Sequence, residues 1–319
     1  MSVDGSKRVV LAALAGNALI SITKFAASSY TGSSAMLSEA IHSLVDTGNQ
    51  GLILYGMARA KRPADESHPF GYGMELYFWS FVVAILIFAV GAGVSIYEGI
   101  GKIQHPEEIT DAYVNYIILA VAFVFEGAAW WVAMREFRQS KGDLSYIEAI
   151  HQSKDAALFT VLFEDTAATL GLGVAFAGIA LGEAYDLPVL DGVASVVIGV
   201  ILAIVAAFLA YECKSLLVGE SASNPVVRGI RTIAEGEDGV SGVNELRTMH
   251  LGPKDVLVNI SLDFGDNLSA NDIERLISKM ERDIKAAYPQ VKRVFVEAQS
   301  LTGHLADLSV ENQQAEPKT

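Results

Sequence analysis

The chain has 319 residues, 51% hydrophobic and 19% charged, with a formal net charge of −14. That acidity argues against a nucleic-acid partner, which needs clustered Lys and Arg, and the single cysteine, Cys213, excludes a framework of internal disulfides. Mean hydropathy is positive, and the apolar residues gather in the first two thirds of the chain rather than spreading as in a soluble protein.

Apolar stretches run over approximately 8–29, 34–57, 76–100, 112–134, 156–181 and 189–212. Each is near the roughly 20 residues that cross a hydrocarbon core about 30 Å thick. They predict a six-helix transmembrane domain over 1–215. Lys7 and Arg8 ahead of the first stretch resemble a signal peptide, but its length, its Asn17 and Lys24, and the missing cleavage site read as a retained helix. Arg59, Lys61 and Arg62 follow the second span, and Arg135, Arg138, Lys141 and Lys154 lie between the fourth and fifth. Basic loops face the cytoplasm. An even number of spans then puts both termini there, in a plasma or inner membrane.

Residues 216–303 read as a small cytosolic α/β domain. VVRGIRTIAEG has helical spacing, VNELRTMHLG and VLVNISLDF read as strands, LSANDIERLISKMERDIKAAY as a helix capped near Ser269 or Asn271, and VKRVFVEAQ as a last strand. A sheet with one covered face suits packing or dimerisation. The polar stretch 304–319 is expected to be mostly disordered.

Ionisable residues inside a span are costly and mark a pathway, a pair or a ligand. The second span carries Glu39, His42 and Asp46 at helical spacing, on one face, and the fifth carries the adjacent Glu164 and Asp165. Asp46 and Asp165 both lie about halfway along their spans. A neutral imidazole with carboxylates is a ligand set for a divalent first-row metal. His42 and Asp46 can share one ion, and Asp165 can complete the site from the facing helix. The alternative is a polar network that joins two helices. Glu164 points about 100° away from Asp165, and is read as a partner of a ligand, an alternate ligand, a proton carrier or half of a structural ion pair. Glu39, Glu126 and Asp191 carry the same ambiguity.

The ordered motifs AMLSEAIHSLVDTGNQ, RPADESHPFGYGMELYFW, FEDTAA, LDGVASVVIGVIL, LLVGES and VSGVNELRTMHLGP make the chain resemble a cation diffusion facilitator over about residues 7–300. The resemblance implies six transmembrane helices, a cytosolic metallochaperone-like α/β domain, a homodimer, and export of Zn2+ or a related ion against protons. It carries the transport ligands onto His42, Asp46 and Asp165. The fourth position falls on Val161, which cannot ligate, so Glu164 or water would have to complete the set. FEDTAA is similar to the branch that contains zinc transporter nine, which favours Zn2+, while the oxygen-rich donors also suit Mn2+ or Fe2+.

Two other metal positions of relatives are incomplete. In the loop after the second span Asp65 and His68 match, but the remaining position is Tyr72; in the tail, histidine positions of zinc-sensing relatives fall on Asn259 and Phe295. His250 reads as an ordinary surface histidine. No resident cofactor is expected, the metal being cargo. No HExxH, GxSxG or phosphate-binding glycine loop is present, so an enzyme is not expected; a non-transporting scaffold or sensor is the rival reading.

Overall fold

The computed structural model describes residues 3–141, 145, 146, 149 and 154–315. The first unit, Met1–Pro63 with Glu75–Lys214, contains the long helices, and the second unites Ala64–Met74 with the chain from Ser215 onward.

The long helices are α1 (Val3–Thr31), α2 (Ser34–Ala60), α3 (Glu75–Gln104, with a π-helical turn at Ile87–Ala92), α4 (Ala112–Lys141), α5 (Ala156–Tyr185) and α6 (Val189–Val218). By length and composition α3, α4 over Ala112–Arg135, α5 and α6 are apolar enough to cross a membrane. Their bare faces present Phe88, Tyr97, Ile117, Val124, Phe125 and Ile204, as lipid requires. α2 is similar in length, but its polar side chains keep it outside that group.

Local chemistry sets the ends that position the site. Gly32 has φ of 72°, a left-handed conformation glycine adopts without a Cβ clash, and there the chain reverses between α1 and α2. Ser33 then caps α2 by accepting from the Met36 amide at 3.1 Å. Asp191, in the first turn of α6, accepts from Ser33 Oγ and the Ser34 amide, both at 2.6 Å, and from Ser34 Oγ at 2.9 Å. Its carboxylate sits on the positive end of α2 and ties α6 to it. That settles the ambiguity over Asp191 in favour of a structural role.

α2 packs against α1, α3 and α5, and α4 packs against α5. Between α3 and α6 the backbones themselves approach. A Cβ on Gly99 would lie 2.7 Å from the Gly192 carbonyl oxygen, and one on Gly192 would lie 2.9 Å from that of Gly99. Without strong hydrophobic drive between helices in lipid, such small-residue contacts supply close packing.

The second unit contains α7 (Asn224–Glu235), β1 (Val240–Gly252), β2 (Asp255–Phe264), α8 (Ala270–Ala287), β3 (Val291–Ala298) and α9 (Leu301–Ala315). The sheet order is β1-β2-β3, with β1 and β2 antiparallel and β2 and β3 parallel. Val256, Val258, Ile260 and Leu262 alternate along β2 onto one face, where they pack with Ile230 and Ala234 of α7 and Met280 and Ile284 of α8. Ser269 is the cap of α8, in a reciprocal box with Asp272. Residues 301–315, polar enough to predict disorder from 304 onward, are helical instead, anchored where Gln299 Nε2 donates to Asp307; residues 316–319 lie outside the described residues.

Candidate metal site

Helical spacing places Glu39, His42, Asp46 and Asn49 along one face of α2. His42 is buried, and its Nδ1 lies 3.4 Å from Asp46 Oδ1, at ion-pair distance but without hydrogen-bond geometry. From α5, Glu164 Oε1 accepts from Asn49 Nδ2 at 2.7 Å, fixing α5 to α2. Asp165, one residue on, keeps Oδ2 buried and without a hydrogen-bond partner among the described residues.

Of these residues Asp46, Glu164 and Asp165 line a cavity of about 670 Å3 in the helical unit. Asp46, Glu126, Glu164 and Asp165 contribute carboxyl groups to its wall, as does Asp155, which caps α5 by accepting from the Leu158 amide, with Asn17, Ser43 and Gln50 as further polar lining and Ile53, Leu54, Leu158 and Val161 as apolar lining. His42 is not on that wall and meets it through Asp46. Among the described residues no three His, Cys, Asp or Glu groups converge closely enough to hold an ion together. The helices thus bring three of the four expected ligands, Asp46, Glu164 and Asp165, to one cavity without closing them into a coordination shell. Val161 packs against the apolar cluster of Ala133, Phe137, Ala149 and Leu162, so its side chain has a packing role.

Sequence reasoning missed the hub beside this cavity. Lys24 of α1 is fully buried, and its Nζ donates to Glu39 Oε2 at 3.1 Å, Ser43 Oγ at 2.8 Å and Glu126 Oε1 at 2.9 Å. Glu39 is thus a partner of Lys24 through Oε2, and its Oε1, which does not line the cavity, is buried without a hydrogen-bond partner among the described residues. A lysine well inside an apolar span was the signal for such a partner.

In the second unit the degraded loop site is filled by its own side chains. Asp65 Oδ2 accepts from the Tyr72 hydroxyl at 2.7 Å, and Oδ1 accepts from the amides of Ser67 and His68. The tyrosine bond, then the His68 amide, hold the Asp65 carboxyl below the usual aspartate range. His68 stacks on Tyr72 with ring centroids 4.2 Å apart. His250 is buried rather than on the surface, because it sits at the end of β1 with Nδ1 3.2 Å from the Gly252 carbonyl oxygen. Asn259 and Phe295 are register partners across β2 and β3, and neither supplies an imidazole.

An apolar helical unit enclosing carboxylates, joined to a small α/β unit, defines the class: a membrane protein that handles cations. The model of the cation efflux transmembrane domain matches residues 10–218, and that of the cation efflux protein cytoplasmic domain matches 222–299. The chain belongs to the cation efflux family, whose members are transporters and not enzymes. It is 34% identical over 286 residues to the human "Proton-coupled zinc antiporter SLC30A9, mitochondrial", covering 87% of this chain and 50% of that protein, and 34% identical over 296 residues to the Xenopus laevis protein of the same name, covering 90% and 53%. The chain thus spans about half the length of these curated relatives. The Arabidopsis thaliana "Metal tolerance protein C4" is 26% identical, covering 82% of this chain and 58% of that protein. A solved structure, "MamM-CTD 215-293", is 18% identical, covering 24% of this chain and 95% of that one, with a TM-score of 0.23.

Proposed function

We propose that the chain is a Zn2+/H+ antiporter that moves Zn2+ out of the cytoplasm, with His42, Asp46 and Asp165 as ligands and Glu164 as the nearby carboxylate that supplements them. The observation that carries this is the shared cavity: Asp46 from α2 and Glu164 and Asp165 from α5 face one space inside the helical unit. A divalent ion supplies the positive charge that several buried carboxylates need. The names of the animal relatives, which are proton-coupled zinc antiporters, support the same ion and the same coupling.

Coupling follows from ligand chemistry. A carboxylate must be ionised and an imidazole neutral to bind the metal, so protons and Zn2+ compete for the same atoms. Zn2+ entering from the cytoplasm displaces protons, and protons arriving from the opposite side help to expel it. Drawing Asp46 and Asp165 together between α2 and α5 would close the shell, while Asn49 holds Glu164 at its edge.

In this proposal α1 and α2 complete a six-span bundle. Their polar residues are shielded by the other helices, both termini lie on the cytoplasmic side, and the chain works as a homodimer joined through the α/β unit. The membrane is a plasma or inner membrane of the cell, or the mitochondrial membrane system named for the animal relatives. Because most donors are oxygens, Mn2+ and Fe2+ are the next ions to consider.

Competition among Zn2+, Mn2+, Fe2+ and Co2+ for uptake into vesicles holding the purified protein tests the ion. Zn2+ uptake should be the strongest, and it should fall at least tenfold, about the effect of losing a charged ligand, in Asp46→Asn and Asp165→Asn. No uptake of any ion by folded protein would favour the scaffold or sensor reading.

A further inference from the structure

The Lys24 hub touches the cavity without belonging to the proposed ligand set. Lys24 is fully buried on α1, and its ammonium is shared by Glu39 and Ser43 on α2 and Glu126 on α4. Glu126 gives one oxygen, Oε1, to Lys24. It also lines the cavity that Asp46, Glu164 and Asp165 line, and its other oxygen, Oε2, is buried with no hydrogen-bond partner among the described residues. Ser43, also bonded to Lys24, lines the same cavity.

One ammonium faces two carboxyl groups in this hub. A buried carboxylate oxygen left without a donor is costly, and a cation in the cavity would satisfy it. Lys24 cannot leave to make room for that cation, because two helices besides its own hold it.

We propose that Glu126 is a further cargo-contacting carboxylate, contributed by α4 to the cation path, and that Lys24 is the positioning residue that presents it. Lys24 pins Oε1, which leaves Oε2 for a divalent cation approaching Asp46. This brings α4 into contact with cargo, beside the ligands of α2 and α5, and gives α1 a positioning role through its fixed charge. The inference rests on the proposed transport reading of the same cavity.

The test measures Zn2+ uptake kinetics in vesicles for the full chain and for Glu126→Gln, Lys24→Met, the double variant, Lys24→Arg and Asp46→Asn. Glu126→Gln is expected to raise KM for Zn2+ about tenfold, as loss of a charged contact does, while kcat stays within about twofold. Lys24→Met should raise KM similarly, and adding it to Glu126→Gln should change little further, because Lys24 acts through Glu126. Lys24→Arg should restore much of the affinity.

An unchanged KM in Glu126→Gln, with wild-type flux that depends on Asp46, would overturn the inference and leave the transport reading intact. Additive losses in the double variant would overturn the positioning role of Lys24. If Lys24→Met fails to fold, the KM of Glu126→Gln still decides the cargo contact, and Lys24→Gln, alone and combined with Glu126→Gln, takes its place in testing the positioning role. Absence of Asp46-dependent flux in the wild type would overturn the transport reading, and this inference with it.

Discussion

At the residue scale, buried polar side chains either tie helices together or line the cavity, and Asn49 does the first for Glu164. Asn49→Ala leaves a buried carboxylate oxygen without its 2.7 Å donor and should cost about 1–2 kcal/mol, read as a lower midpoint in thermal unfolding of the detergent-solubilised protein. An unchanged midpoint would show that Glu164 finds another donor. Asp272 gives a prediction in pH. Its carboxyl is held below the usual aspartate range by the Ser269 side chain first, and also by Arg275. The sign follows from linkage: a depressed folded value means stability that is present above the unfolded aspartate value of about 3.9 and lost as pH falls through the folded one. Amide protection at the start of α8, taken relative to the intrinsic exchange rate at each pH, should therefore fall below about pH 4, and Asp272→Asn should remove that acid step. The sequence made it legible that Glu39, His42, Asp46, Glu164 and Asp165 need partners, because charge in an apolar span always does. It did not reveal which partner each takes. Glu39 meets Lys24 and Glu164 meets Asn49 because of how helices distant in sequence are rotated and set in depth, which no spacing within one helix encodes.

At the element scale, the contact between α3 and α6 depends on two residues without a side chain. Gly192→Val places new carbons against the Gly99 carbonyl, whose oxygen already lies 2.9 Å from the position of a first Cβ. Forcing the helices apart should cost about 1–3 kcal/mol and lower the yield of folded protein, whereas Gly101→Ala, where a Cβ meets nothing within 4 Å, should be tolerated. In the α/β unit, Arg293 of β3 holds the 64–74 segment. It pairs with both oxygens of Asp255 at 2.8 and 2.9 Å, donates to the Phe70 carbonyl oxygen at 3.0 Å, and lies 5.5 Å from the centre of the Phe70 ring. Arg293→Ala should increase hydrogen exchange across residues 64–74 while β2 stays protected. Equal loss of protection in β2 would mean that the arginine supports the sheet and not the loop. The α/β elements were legible because apolar alternation in β2 and the Ser269 cap are local signals. Helix α9 was not, since its contacts to Gln299 depend on where β3 ends.

At the scale of the whole molecule, the chain divides its work between a helical unit that encloses carboxylates and an α/β unit built for packing. Homodimerisation through the second unit predicts twice the chain mass for the detergent-solubilised protein once bound detergent is subtracted; a monomer at micromolar concentration would contradict it. The central claim is that ion and proton share the cavity of Asp46, Glu164 and Asp165. The most direct test is Zn2+ flux into vesicles carrying the full chain, followed while a pH gradient is imposed, reversed and abolished, with Asp46→Asn measured in parallel. The account predicts Zn2+ accumulation that follows the gradient, reverses with it and disappears in Asp46→Asn. Flux indifferent to the gradient, or unchanged in Asp46→Asn, would contradict it.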